Sequence, residues 1–346
     1  RSERIERLTG LLLKQLGLDQ SVVDAAQRAA HFCKNDLVSQ MVGEFPELQG
    51  LMGGKYLLEE GEPRDVALAV VEHYLPRGAG DALPATPAGA VVALAERLEL
   101  LLSIFAKGER PTGSSDPYAL RRAGNGVVQI LWGMAWRLDL MAFLSNAVEE
   151  WAALFPAFAV DASQLHNDLC QLMRQRIVSQ LEDDGFAPDL VQAVAGDAVS
   201  SQRLLSDPLD VKQRIQLLRD LRDSGQLDAV QAVVQRAAKL AEKGDLARDQ
   251  LVAGEVVEPE RFESASEKDL FAALEQLQPL AKQRSYQALA DALVAATPAL
   301  QAFFDGDTSV MVMVDDAALR LNRLNLLAVL RNQASVLAEF ESIQSK

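Results

Sequence analysis

The stretch Lys34-Asn35-Asp36-Leu37-Val38-Ser39-Gln40-Met41-Val42-Gly43-Glu44-Phe45 decides between a helical and a sheet reading of this chain. Leu37 and Met41 continue the helical spacing of the residues before them, stacking on one face of a helix. Gly43, Pro46, Gly50, Gly53 and Gly54 then break the run into a tight connection, because both residue types interrupt helical backbone.

The same periodicity extends outward from this stretch. Upstream, Ile5, Leu8, Leu12 and Leu16 form one stripe, and Asp19 or Ser21 is placed to cap a second helix through Val22, Ala25, Ala29, Phe32 and Cys33. Downstream, Pro63 suits the first turn of a helix running through Val66, Ala69, Val70 and His73 to Tyr74, ended by Pro76, Gly78 and Gly80. After the extended connector 83–87, Ala90, Leu94, Leu98, Leu101, Leu102 and Phe105 predict a long helix. A polar loop from Gly108 to Pro117 precedes a further helical pattern, Tyr118 to Leu131, which carries Arg121 and Arg122.

Beyond a soft boundary near Leu138 the pattern stays helical, with turn signals at Phe155-Pro156, Asp184-Gly185, Asp207-Pro208, Ser224-Gly225, Lys243-Gly244 and Thr297-Pro298. Lys239 to Arg261 is rich in charge, weakly periodic and reads as a mobile loop or linker. Leu270, Leu274, Leu277 and Leu280 form one stripe, Leu289 and Leu293 another, and Leu319, Leu326, Leu330 and Leu337 mark a final helix, the pattern of a small bundle. Val310 to Val314 reads as a short buried helix start or turn. No period-two run persists, so the expected class is all-α, divided as 1–138, 139–267 and 268–346.

Composition narrows the function classes. The chain has 346 residues, 49% of them hydrophobic, enough to bury a substantial core. Its apolar groups, such as Leu11-Leu12-Leu13, fall far short of the roughly 20 residues that span a bilayer. The start, Arg1-Ser2-Glu3-Arg4, has neither an initiator Met nor an apolar leader, reads as a truncation point within a helix, and leaves the cytoplasm as the expected compartment. Cys33 and Cys170 sit in helical apolar patterns, as reduced core thiols do. A net charge of −15 argues against general electrostatic attachment to nucleic acid, so any RNA contact has to be local.

No catalytic constellation emerges. Asp36, with His31, His73, Glu96 and Glu99, suggests a metal-dependent phosphohydrolase of the HD type, in which a His-Asp pair holds a metal that activates water. Here Asn35 precedes Asp36, and His31 and Asp36 lie about 140° apart on a helix. Asn35 and Asp36 are therefore read as degenerate HD-like positions with no metal, Asp36 serving as a packing hydrogen-bond acceptor, and a divergent HD-type phosphohydrolase is the alternative function. Gly50-Leu51-Met52-Gly53-Gly54-Lys55 lacks the spacing of a phosphate loop, Cys33 has no neighbouring base, and His166 with Asp168 and Cys170 is read as solvent-exposed. Arg121 and Arg122, at a helix start, suit phosphate contacts, against which stands a salt bridge to Asp116. Asp316 and Arg320 can pair across one helical turn, and Arg320 shares its face with Arg323, a pattern whose default is a solvated ion-pair surface.

Several of these stretches together resemble a known family. Lys34 through Gly53, Glu72-His73-Tyr74-Leu75-Pro76, Gly80-Asp81-Ala82-Leu83-Pro84 and Pro111 through Arg122 are similar, in order and spacing, to the β subunit of the bacterial two-subunit glycyl-tRNA synthetase trimmed of its N-terminal part. Val310 through Asp316 and Leu319 through Leu324 are similar to that family's terminal segment, which looks like the anticodon-binding helical domain of arginyl-tRNA synthetase. The resemblance implies an HD-like helical domain over 1–138, a helical linker region and an anticodon-binding-type bundle over 268–346. It implies a noncatalytic, tRNA-binding part of glycine-tRNA ligase, partnered by tRNA-Gly and by an α subunit in a heterotetramer. ATP and Mg would be used by that α subunit, with no cofactor in this chain. The residues it offers for tRNA are Lys34, Lys55, Arg121, Arg122, Arg320 and Arg323. A helical scaffold that binds only protein is the remaining reading, suggested by the acidic surface.

Overall fold

The computed structural model describes residues 1–345, and among them every regular element is a helix. The α-helices in chain order are α1 Ser2–Leu16, α2 Gln20–Phe32, α3 Gln40–Glu44, α4 Leu51–Glu59, α5 Arg64–Glu72, α6 Pro87–Ala106, α7 Leu120–Gly133 and α8 Leu140–Leu154. They continue as α9 Ala162–Asp183, α10 Pro188–Ala195, α11 Ser201–Leu205, α12 Pro208–Asp223, α13 Leu227–Ala241, α14 Ala265–Lys282, α15 Tyr286–Phe304 and α16 Ala317–Ser335. Two compact units result: Arg1–Asp184 with Ser200–Asp210, and Gly185–Val199 with the residues from Val211 on.

The first unit is organised around α6. Thr86 caps it by accepting from the Gly89 N–H at 3.1 Å, and Pro87 occupies the first helical position, where its missing N–H costs nothing. Fourteen of its twenty residues are buried, which explains why its pattern is apolar nearly all round instead of striped. Helices α1, α2, α5, α7 and α9 pack around it.

The opening stretch is more broken than its spacing predicts. Asn35–Val38 is a single 3-10 turn, and Ser39 is extended and starts α3 by accepting from the Val42 N–H at 3.2 Å. A hydroxyl capping the next helix competes with continuation of the previous one, and here the cap wins. Helix α4 then lies against α5 at a distance only glycine allows: a Cβ on Gly54 would stand 2.8 Å from the backbone oxygen of Ala67.

In the second unit α13, α14, α15 and α16 pack on one another as a bundle. The turn expected at Thr297-Pro298 is absent; α15 runs through Pro298, with Leu300 and Phe303 buried beyond it. Burial of that end outweighs the lost backbone hydrogen bond. The segment 239–261, expected to be mobile, is tied down by α16. Asn332 donates to the carbonyls of Ala247 and Gln250 (2.8 and 2.9 Å), Gln333 to that of Leu251 (2.7 Å), and Asn325 to that of Val256 (2.8 Å). Asn322 both accepts from the Glu258 N–H and donates to its carbonyl. Val310–Val314 forms no helix: Val312 is buried while Met311 and Met313 face solvent.

Candidate functional site

The HD-like positions have been put to structural use. The carboxylate of Asp36, 3% exposed, accepts from the Gly50 N–H at 2.6 Å and the Gly53 N–H at 3.0 Å, fixing the start of α4. Asn35 is exposed and lines a separate surface groove. Lys34 is buried, its ammonium 3.0 Å from Nε2 of His73, 3.3 Å from Glu96 and 3.9 Å from the centre of the Tyr74 ring. A cation therefore already stands beside the imidazole nitrogen that would otherwise serve as a ligand. Burial, with Lys34 next, holds His73 well below its ordinary pKa, and burial likewise lowers Lys34 against the pull of Glu96. Glu99 is taken by Arg1, Arg4 and Ser103: burial alone would raise it, but these donors hold it below the usual carboxylate range. His31 is exposed, 3.3 Å from Glu6. Among the described residues no three His, Cys, Asp or Glu side chains converge as a metal group would need.

The basic cluster lies next to this chamber. A cleft of about 250 Å³ is walled by Gln49, Tyr74, Arg77, Glu96, Leu100 and Arg122. Arg97 builds its floor, donating to the carbonyls of His73, Ala93, Tyr74 and Pro76 at 2.7 to 3.3 Å. Burial lowers the Arg97 guanidinium to about 10, which leaves it charged at neutral pH. Gly126 is required opposite, since a Cβ there would meet the Arg97 side chain. Glu96, the one carboxylate in the wall, is covered by Arg1 at 2.6 Å and by Lys34.

Asp116 is engaged by backbone and not by the arginine pair. Its two carboxylate oxygens accept from the backbone N–H groups of Leu120 (2.8 Å) and Arg121 (2.9 Å), capping α7. The helix terminus is thus filled by a side chain, and neither guanidinium is held in an ion pair with Asp116. Arg122 is exposed at the cleft, as is Arg77, whose guanidinium makes a 3.4 Å bond to the Gln49 carbonyl and lies 5.8 Å from the centre of the Tyr74 ring. Arg77 was not singled out from sequence. Its signal was a basic residue in the Pro76-Arg77-Gly78 turn directly after the aromatic Tyr74.

The remaining candidates separate. Lys55 is exposed on α4. In the second unit, Arg320 donates to the Val314 carbonyl at 2.7 Å through one nitrogen. Arg323 is 4% exposed with all three nitrogens engaged, by Glu267 (2.8 Å), the Met311 carbonyl (3.0 Å) and Glu263 (2.9 Å). Lys34 and Arg323 are thus committed to internal partners and depart from the surface contacts expected of them. His166 is half-buried, not exposed, 3.2 Å from the Met141 carbonyl and 3.5 Å from Cys170 Sγ. Cys33 is core, its thiol pushed up to about 11 by burial.

Comparison with known proteins points to one family. The family model described as glycyl-tRNA synthetase beta subunit matches residues 1–196. A protein of Acaryochloris marina named glycine--tRNA ligase beta subunit is 47% identical over 347 residues, covering 99% of this chain and 48% of that protein. The protein of the same name from Picosynechococcus is 45% identical over 99% of this chain and 48% of its own length. That from Stutzerimonas stutzeri is 38% identical over 96% of this chain and 46% of its own. The chain spans about half the length of the curated relatives it matches. No described helix is long and apolar enough to cross a membrane.

Proposed function

The chain belongs to the glycyl-tRNA synthetase β-subunit family, and from that premise we propose that it is a tRNA-gripping, noncatalytic part of the ligase, supporting glycylation of tRNA-Gly by the companion α subunit. The observation that carries this reading is the cleft in which Arg122 and Arg77 stand unopposed by any free carboxylate in a chain of net charge −15. Two guanidinium groups on a rigid wall suit the phosphates of a backbone entering a narrow groove, and Arg121 extends the patch along α7. The acidic remainder of the surface repels RNA elsewhere and confines contact to this patch. ATP and Mg act at the α subunit in this account, and the chamber of Lys34 and His73 supports the cleft wall rather than a reaction.

A second contact in the anticodon-binding-type bundle falls to Arg320, whose bond to Val314 ties it to the loop that exposes Met311 and Met313, while Arg323 braces that loop through the Met311 carbonyl. The test uses the complete two-subunit enzyme with Arg121→Ala and Arg122→Ala combined. The expected result is tRNA-Gly affinity weakened about tenfold, with a shallower salt dependence. Glycine activation, read as pyrophosphate exchange into ATP, stays unchanged. Unaltered tRNA affinity overturns the reading.

A further inference from the structure

The first unit carries a second surface of opposite character. Leu37, Val38, Met41, Phe45, Tyr56 and Leu58 are all exposed, Val38 at 92%, within one short stretch of chain. Exposed large apolar side chains scattered singly need no explanation, but two that flank one groove do. Val38 and Tyr56 flank a groove of about 290 Å³ whose base includes Phe32 and Leu57. The backbone beneath is fixed: Asp36 clamps the Gly50 and Gly53 N–H groups, and Gly54 sets α4 tightly on α5. This is a rigid face, not a frayed one.

Its charge identifies the kind of partner. Glu59 and Glu60 line the groove, Glu44 and Glu47 stand on the same stretch, and none of the four takes part in an ion pair among the described residues. Lys55 is the one exposed basic side chain between residues 35 and 62, and Arg28, stacked on Phe32 at 4.4 Å, has its charge answered by Glu62. Carboxylates around an apolar groove repel RNA phosphates and anionic lipid headgroups alike and favour a protein face with an apolar projection edged by Lys or Arg. We infer that this groove docks the companion subunit of the ligase through such a projection. The inference rests on the family reading for the existence of that subunit and not on the arginine cleft.

The experiment uses full-length β subunit co-expressed with its companion, in three forms: wild type, Val38→Asp with Tyr56→Asp, and Glu59→Lys with Glu60→Lys. Complex formation is read by light scattering after size exclusion, and tRNA-Gly binding by the isolated β subunit is measured in parallel. Both variants are expected to weaken assembly by about tenfold or more, as interface hot spots do when a charge is buried or reversed. Their tRNA affinity stays within about twofold of wild type. The charge-reversal pair touches only exposed groups, so it separates docking from misfolding. Intact assembly in both variants overturns the inference, and so does lost tRNA binding with assembly intact. Failure of wild-type β subunit to bind tRNA counts against the proposed function and leaves the assembly result standing on its own.

Discussion

The Glu267 carboxylate, with no exposed surface, is joined to the Arg323 guanidinium at 2.8 Å while also accepting from the backbone N–H groups of Glu263 and Ser264. One pair thereby fastens the start of α14, the middle of α16 and, through the Met311 carbonyl, the loop between α15 and α16. Removing one member leaves a buried charge without its counterion. Arg323→Ala is expected to destabilise the second unit by about 3 to 5 kcal/mol. Arg323→Met with Glu267→Leu should recover part of that loss. Chemical unfolding of the three forms checks the order, and a single variant as stable as wild type contradicts it.

Gly54 sets the spacing of α4 and α5. An alanine there would bring Cβ against a backbone oxygen, which has no rotamer to escape into, as well as the Val71 side chain. Gly54→Ala should cost about 1 to 3 kcal/mol, whereas Gly43→Ala, with open space around it, should be close to neutral. Thermal melts of the pair give the comparison.

His73 gives the first unit a pH dependence of definite sign. It is buried against Lys34, Arg97 and Arg1, all of which oppose its protonation. Its folded pKa is depressed, so the unfolded chain binds the proton more readily, and stability is present above the unfolded value near 6.5 and lost as pH falls below it. The melting temperature of wild type should drop between pH 7.5 and 5.5, and His73→Gln should flatten that part of the profile. Parallel profiles in the two proteins would contradict the assignment.

Asp116 faces both roles of α7. Asp116→Asn keeps one capping oxygen and removes a negative charge beside the arginine pair. Affinity for tRNA-Gly should rise roughly twofold at low ionic strength and return to the wild-type value in high salt. Asp116→Ala, which loses both caps, should cost about 1 kcal/mol of stability.

What the sequence made legible follows from where the deciding contacts lie. Helix α6 is readable because its long run of apolar residues carries the information locally. The pinning of 239–261 is not, because the amides that satisfy its carbonyls are 64 to 85 residues away on α16. The same distance problem hides the burial of Arg323 and Lys34, which look like surface cations until Glu267 and Glu96 are placed beside them. Pro298 misleads in the other direction, since a local turn signal yields to the burial of Leu300 and Phe303. Within the candidate site, Arg121 and Arg122 are legible as a pair at a helix start, while Arg77 joins them only through the path of the chain around Arg97.

The central claim is that RNA enters the cleft between Tyr74 and α7. The most direct measurement is photo-crosslinking of tRNA-Gly to the complete enzyme, with the attached peptides mapped by mass spectrometry. The account predicts crosslinks on the peptides carrying Tyr74–Arg77 and Arg121–Arg122, suppressed by raising salt. Efficient crosslinking that leaves both peptides unmodified would contradict it.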